Sequence, residues 1–238
     1  TIVIYFLYDY YQIRFQLDFT IMSVAIVFPL VFSITSAYQR RQDSIQEFSI
    51  FRNKIIDLSN IFYSVNETKK EDYKKLFSSL LVLQNLFIDY LKNPLSETDY
   101  KDVRLKRKEV FLILDSYKNF YNEREKDSLI RVKNEIFQSA EKLRGIKIHA
   151  TPISLRKYCL VFIYLSPFLF NTQLIVEKTS FGFGLESIIS LSISVVVSFI
   201  LIALYNVQDY IENPFDQEGL DDLKISEMDV SNYESLNE

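Results

Sequence analysis

The sequence predicts an all-α membrane protein with four membrane-spanning helices and a helical insertion between the second and the third. Three observations support this class. Apolar and charged residues fall into separate long blocks, although the chain as a whole is 48% hydrophobic and 24% charged. Uncharged runs near both ends approach the ~20 residues that a bilayer-spanning helix needs. The central block is rich in charge and keeps a helical spacing of its apolar residues.

The first region, residues 1–38, contains a short apolar run and a full-length span. The chain begins inside the run Ile2–Tyr8, so we expect the natural protein to extend upstream and the first membrane helix to be cut short here. A short polar link, residues 9–18, leads to the second span, Phe19–Tyr38. That span has no charged residue and is long enough to cross a bilayer.

The second region, residues 39–157, is predicted to be a cytoplasmic helical bundle. Its apolar residues recur at every third or fourth position, which puts them on one face of each helix. The runs with this spacing are Asp43–Tyr63, Tyr73–Leu91, Val103–Tyr121 and Lys126–Leu143. Asn93-Pro94 and Gly145 interrupt the pattern, as residues of loops commonly do.

The last two regions are a second hairpin, residues 158–207, and an acidic tail, residues 208–238. The hairpin contains the spans Tyr158–Val176 and Leu185–Val207, joined by a glycine-containing link that suits a tight loop. An isolated tail of this composition would be disordered. We therefore expect the tail to pack along a larger assembly on the cytoplasmic side.

Positive charges predict the orientation in the membrane. Arg40, Arg41, Arg156 and Lys157 all flank the central insertion, whereas the short links carry few cations. Because Lys and Arg concentrate on the cytoplasmic side, the insertion and both chain termini should be cytoplasmic. The expected location is a cell membrane, crossed several times.

Composition argues against several other classes. Cys159 is the one cysteine and lies in an apolar stretch, so no internal disulfide is possible and a buried thiol is expected. His149 is the one histidine and has no partner at metal-ligand spacing. The formal charge of −4 gives no reason to expect nucleic acid as a partner. No catalytic cluster is recognisable, so an enzyme is not expected.

Three stretches together resemble the bestrophin family. They are FPLVFSITSAYQRRQ at residues 28–42, TPISLRKYCLVFIYLSPF at residues 151–168, and YIENPFDQEGLDDL at residues 210–223. Their order and the insertion between the first two are similar to that family over nearly the whole chain. Arg41 and Gln42 stand where relatives usually have tryptophans, and Asp216 stands where they have glycine. The resemblance therefore implies a remote member.

The resemblance implies a homopentameric ion channel with the second helix of each subunit around a central pore. Phe28, Phe32 and Ser36 match the family's pore neck, and their four-residue spacing puts them on one helix face. Rings of phenylalanine would form a constriction that closes by losing water. Pro29 would allow the helix to bend, and Thr151 matches a second constriction at the cytoplasmic exit. The alternative for the phenylalanines is packing against helices or lipid.

The resemblance also raises the question of calcium, which eukaryotic relatives bind through an acidic cluster. The corresponding carboxylates here are Asp216, Glu218, Asp221 and Asp222. Calcium prefers several oxygen ligands, but the spacing differs from that of the relatives, and a solvated acidic tail is the other interpretation. No other cofactor is expected.

The function expected from these features is a channel for small monovalent ions, with anions slightly preferred. Its partners would be the lipid bilayer, the permeating ions and further copies of the chain. Two alternatives are a membrane scaffold or sensor without ion flux, and a secondary transporter. A transporter would usually show paired broken helices or a charge within the membrane, and the three complete spans show neither.

Overall fold

The computed structural model describes residues 1–11, 13, 19–64, 70–93, 97–149, 152–176, 185–217, 223–225 and 230 of the 238-residue chain. Within these residues all regular secondary structure is helical. The helices are α1 (Ile2–Tyr11), α2 (Phe19–Tyr63), α3 (Lys70–Lys92), α4 (Glu97–Ser116), α5 (Glu123–Ile148), α6 (Ile153–Val176) and α7 (Leu185–Glu212). The prediction of an all-α protein is therefore confirmed.

The chain divides into two compact units. The first contains residues 1–39 and 150–212, and the second contains residues 40–149 and 213–238. Helix α2 contributes its first part to one unit and its second part to the other. The described residues of the tail, 213–217, 223–225 and 230, belong to the same unit as the central insertion.

The first unit is a bundle in which α1 packs on α6 and α7 around buried polar side chains. The hydroxyl of Ser194 donates a hydrogen bond to the amide oxygen of Asn171, and both residues are almost completely buried. The amide nitrogen of Asn171 donates to the carbonyl oxygen of Thr1 at 3.3 Å, while the Thr1 hydroxyl donates to Ser198 at 2.9 Å. These bonds link α6 and α7 to the residue that immediately precedes α1, and polar residues commonly make such contacts inside membrane bundles.

The second unit has one hydrophobic core, to which α2, α3, α4, α5 and the tail all contribute. The buried residues of α2 in this unit recur at helical spacing: Ser44, Phe48, Phe51, Ile55, Leu58, Ser59 and Phe62. Phe215, from the tail, is completely buried in the same core. Burial of a phenylalanine side chain contributes about 1.5–3 kcal/mol, so the start of the tail is held firmly on this unit.

Polar contacts fix α5 against α2 in the second unit. Lys142 pairs with Glu47 at 2.6 Å, and Lys54 pairs with Glu135 at 3.0 Å. The Arg40 guanidinium donates to the carbonyl oxygen of Ile146 at 2.7 Å, near the C-terminus of α5. A cation is favourable there because the last carbonyls of a helix carry partial negative charge.

Several predicted boundaries are wrong. Helix α1 continues through Asp9 to Tyr11, where the sequence predicted the polar link to begin. Helix α4 covers Glu97–Ser116 instead of Val103–Tyr121, because the residues after Ser116 form turns. Gly145 lies inside α5 rather than in a loop, since a single glycine costs a helix only about 1 kcal/mol.

The apolar character of one predicted span is clear in the structure. Among the described residues, α7 is the one helix that is both long and apolar enough to cross a bilayer, and an 18-residue stretch within it has a mean hydropathy of 2.6. Its exposed side chains include Ile188, Val196 and Phe199. Such a surface is expected where a helix meets lipid or a partner.

Candidate functional site

Helix α2 presents an exposed face that contains all three residues of the expected neck. Phe28 is 60% exposed and Phe32 is 53% exposed, and Ser36 is also exposed. The rings of Phe28 and Phe32 contact each other edge to face, with centroids 4.6 Å apart and planes at 82°. The structure therefore brings the two phenylalanines together as one aromatic surface.

The opposite face of α2 packs inside the first unit. Ile26, Leu30, Ser33 and Ala37 are almost completely inaccessible to solvent. Ile26 and Leu30 belong to a hydrophobic cluster with Cys159, Ile163, Phe170 and Leu201, which α6 and α7 contribute. Because packing fixes this face, the face that bears the phenylalanines is directed away from the bundle. Cys159 is buried, as the sequence predicted.

The exposed face extends one turn further than the sequence analysis indicated. Val24 lies four residues before Phe28 and is 56% exposed. The same four-residue spacing that joined Phe28 to Phe32 could have identified it. Val24, Phe28, Phe32 and Ser36 are called the α2 stripe below.

The helix continues through Pro29, although this residue has no backbone N–H to donate. The carbonyl that loses its usual donor is that of Ala25, four residues earlier. The phenol of Tyr158, on α6, donates to this carbonyl oxygen at 3.4 Å. A side chain of a neighbouring helix thus supplies a donor where the proline removes one. Whether Pro29 also bends the helix stays a prediction.

The second expected constriction, at Thr151, lies outside the described residues. Of the four carboxylates considered for calcium, Asp216 is described and the other three, Glu218, Asp221 and Asp222, are not. The Asp216 carboxylate accepts a hydrogen bond from the amide of Asn213 at 2.9 Å, an ordinary turn contact. Within the described residues no three acidic, His or Cys side chains are arranged to hold a metal. Calcium binding by the full set of four carboxylates stays a prediction.

An ion pair joins α6 to α7 in the first unit. The Arg156 guanidinium, on α6, forms an ion pair with the carboxylate of Asp209, on α7. Both residues are partly exposed to solvent. Each lies next to an end of an apolar span predicted from the sequence, which is where charged side chains of membrane helices are usually found.

Comparison with known proteins identifies the fold. No protein-family model matches the sequence, and no curated protein matches it significantly. The structure matches a variant of a bacterial bestrophin homologue from Klebsiella pneumoniae with a TM-score of 0.81 and 12% identity, over 99% of this chain and 92% of that one. A second determination of that homologue gives a TM-score of 0.78 and 12% identity, over 96% and 89% of the two chains.

A further match is to a crystal structure described as a membrane protein. It has a TM-score of 0.81 and 13% identity, over 99% of this chain and 92% of that one. At these identities the matches show a shared fold. The resemblance to bestrophins found in the sequence is therefore confirmed for the fold, over nearly the whole chain.

Proposed function

We propose that this chain, which has the fold of the bacterial bestrophin homologues, is a subunit of a bestrophin-type channel in a cell membrane. It conducts small monovalent ions through a central pore lined by α2. The observation that carries the proposal is the α2 stripe. Phe28 and Phe32 are more than half exposed, while the residues on the other side of the same helix are buried in the first unit.

A pore requires several copies of the chain. One subunit is too small to enclose a water-filled path, so the helix must be repeated around an axis. By resemblance to bestrophins the assembly has five subunits, and each contributes one α2 stripe. Phe28 and Phe32 then form two adjacent aromatic rings around the path, and Ser36 forms a polar ring next to them.

The aromatic rings act as both gate and filter. A narrow apolar constriction loses its water, which stops ion flow without a plug. Both rings are more than half exposed, and the edge of an aromatic ring carries partial positive charge. Passing anions such as chloride are therefore slightly preferred over cations.

The same proposal places the chain across the bilayer several times, with both termini in the cytoplasm. Exposed apolar side chains on α1, α6 and α7 support contact with lipid, among them Phe6, Val161 and Phe199. The concentration of Lys and Arg beside the insertion supports a cytoplasmic position for the second unit.

The test is to measure the mass of the purified assembly and its ion flux in liposomes. Native mass spectrometry should give five copies of the chain. Liposomes containing the protein should dissipate chloride, sodium and potassium gradients faster than empty liposomes. A well-folded assembly that carries none of these ions, with calcium present or absent, would contradict the proposal and favour a scaffold or sensor.

A further inference from the structure

The part of α2 that belongs to the second unit exposes a row of side-chain carboxamides. Gln42, Gln46, Asn53 and Asn60 are all exposed to solvent, and spacings of four and seven residues put them on one face of the helix. Their side chains form no hydrogen bond or ion pair within the described residues. These four residues are called the amide row below.

The other side of this part of α2 is fixed by packing. Phe48, Phe51, Ile55 and Phe62 all lie in the hydrophobic core of the second unit. They recur at helical spacing on the face opposite the amide row. Because core packing sets the rotation of the helix, the carboxamides are directed away from the unit to which they belong.

The amide row is unusual because it is exposed and carries no charge. Residues 40–63, all of which the structure describes, include one charged residue among the exposed ones, Asp43, which lies about 60° around the helix from Gln46. Asp57 is half exposed, but Lys54 balances its charge at 3.1 Å. The exposed side chains of α5, by contrast, include five charged ones: Glu123, Arg124, Asp127, Arg131 and Lys142. A helix face that only meets bulk water is usually charged, so the neutrality of the row requires another explanation.

Helical periodicity assigns the amide row to the same side of α2 as the phenylalanines of the α2 stripe. The helix runs from Phe19 to Tyr63 without a break. The interval from Phe28 to Gln46 corresponds to about five whole turns of an α-helix. Asn53 differs from that angular position by only about 20°. The helix proposed to line the pore therefore carries the carboxamides on its pore-facing side.

The chemistry of a carboxamide suits a path for hydrated ions. The group has N–H donors and a carbonyl acceptor but no net charge. Its oxygen can face a hydrated cation and its N–H groups a hydrated anion, so it holds neither strongly. A ring of carboxylates would instead favour cations over anions. A neutral row thus lets ions of either sign pass with their water.

We propose that the amide row lines the pore on the cytoplasmic side of the two phenylalanine rings, as a charge-neutral surface. This inference rests on the pore function proposed above and assigns further residues to it. With five copies of α2 around the axis, each carboxamide position forms a ring. Ion preference is then set at Phe28 and Phe32 and is left unchanged along the row.

The test is the reversal potential of the full assembly in planar lipid bilayers under a sodium chloride gradient, which measures the chloride-to-sodium permeability ratio. Gln46→Glu and Asn53→Asp each add one negative charge per copy and hardly change the size of the side chain. Each should lower the ratio by at least about tenfold at salt near about 0.01 M, because a path lined by one sign of charge concentrates counter-ions. The effect should become much smaller near about 1 M salt, where the Debye length is only about 3 Å. Gln46→Lys should raise the ratio instead.

The matched control is Gln138→Glu. Gln138 is exposed on α5 of the same unit and undergoes the same change of charge, so its ratio should stay at the wild-type value. Wild-type ratios in Gln46→Glu and Asn53→Asp would overturn this inference alone, with the channel intact. Loss of the wild-type assembly mass in these two variants would also overturn it, since the row would then pack between copies. Absence of ion flux through the wild-type assembly would contradict the proposed function and this inference with it.

Discussion

The hydroxyl of Ser166 donates a hydrogen bond of 2.7 Å to the carbonyl oxygen of Ile163. This is the carbonyl that Pro167, four residues further on, cannot serve because proline has no N–H. The arrangement parallels the one at Pro29, where the Tyr158 phenol bonds to the carbonyl of Ala25. At both prolines a side-chain donor compensates for the lost backbone bond, which explains how α2 and α6 continue unbroken.

The first prediction concerns Ser166, which is completely buried. Ser166→Ala should lower the free energy of unfolding by about 1 kcal/mol, because a buried carbonyl loses its donor. The effect should become much smaller in a Pro167→Ala background, since the alanine supplies a backbone N–H to Ile163. Unfolding of the four proteins in detergent, followed by circular dichroism, measures this coupling. Equal losses in both backgrounds would show that Ser166 does not compensate for the proline.

The second prediction concerns the hydrogen bond between Ser194 and Asn171, which joins α6 to α7. Ser194→Ala and Asn171→Ala should each destabilise the protein, and a double-mutant cycle should give a coupling of about 0.6 kcal/mol, with an upper range near 1.7. Ser192→Ala is the matched control, because the bond that its exposed hydroxyl makes among the described residues stays within α7, to Ile188 at 2.8 Å. A coupling of zero would mean that the buried network does not hold the helices together.

The third prediction concerns the start of α5. The side chain of Asn122 accepts from the backbone N–H of Glu125, and the Glu125 carboxylate accepts from the N–H of Asn122, both at 2.9 Å. Asn122→Ala should cost about 0.5–2 kcal/mol, whereas Asn122→Ser should cost little, since serine can cap a helix equally well. Hydrogen exchange in the first turn of α5 should quicken in the alanine variant alone. Unchanged exchange in that variant would contradict the capping role.

The fourth prediction concerns stability at high pH. The hydrogen bond from the Tyr117 phenol to Asp72 raises the pKa of Tyr117 from 10.0 to about 12. Because the folded pKa is above the unfolded one, this stabilisation is complete below pH 10 and is lost as the pH rises towards about 12. Tyr117→Phe should be less stable than wild type below pH 10, and the difference should shrink across that interval.

Melting temperatures of wild type and Tyr117→Phe between pH 8 and about pH 12 test this, with Tyr63→Phe as control. Tyr63 is an exposed tyrosine at the end of α2. A difference between wild type and Tyr117→Phe that stays constant through the alkaline range would contradict the account.

Much of the fold could be predicted from the sequence because charge and apolar spacing are strong signals. The start of α2 at Phe19 and the end of α6 at Val176 coincide with the edges of uncharged runs, and α7 begins at Leu185, where the sequence predicted the fourth span to begin. Polarity does not mark where a helix ends, however. Helix α2 continues past Tyr38 through Gln39 and two arginines, since these residues are good helix formers.

The turn after α4 shows a limit of apolar spacing. Tyr117 and Tyr121 continue the helical period of the preceding residues, so the sequence predicted helix there. In the structure both rings instead pack on Phe62 of α2, with centroids 5.2 and 6.4 Å away, while the chain turns. Tertiary packing decides the conformation at such positions. The spacing of apolar residues along the chain does not reveal which distant residue a ring will contact.

The candidate site was predictable in part. Four-residue spacing placed Phe28, Phe32 and Ser36 on one face, but Ile26 and Leu30 are equally apolar and define another face of the same helix. Which of the two is buried depends on how α6 and α7 pack against α2.

The central claim, that the α2 stripe lines an ion pore, is tested most directly by ion flux through liposomes containing wild type, Phe28→Ala or Phe32→Ala. Phe199→Ala is the matched control, since Phe199 is an exposed phenylalanine on α7, away from the stripe. We expect faster flux or altered chloride-to-sodium selectivity in both α2 variants and wild-type behaviour in Phe199→Ala. Flux and selectivity that stay at the wild-type level in both α2 variants would contradict the claim.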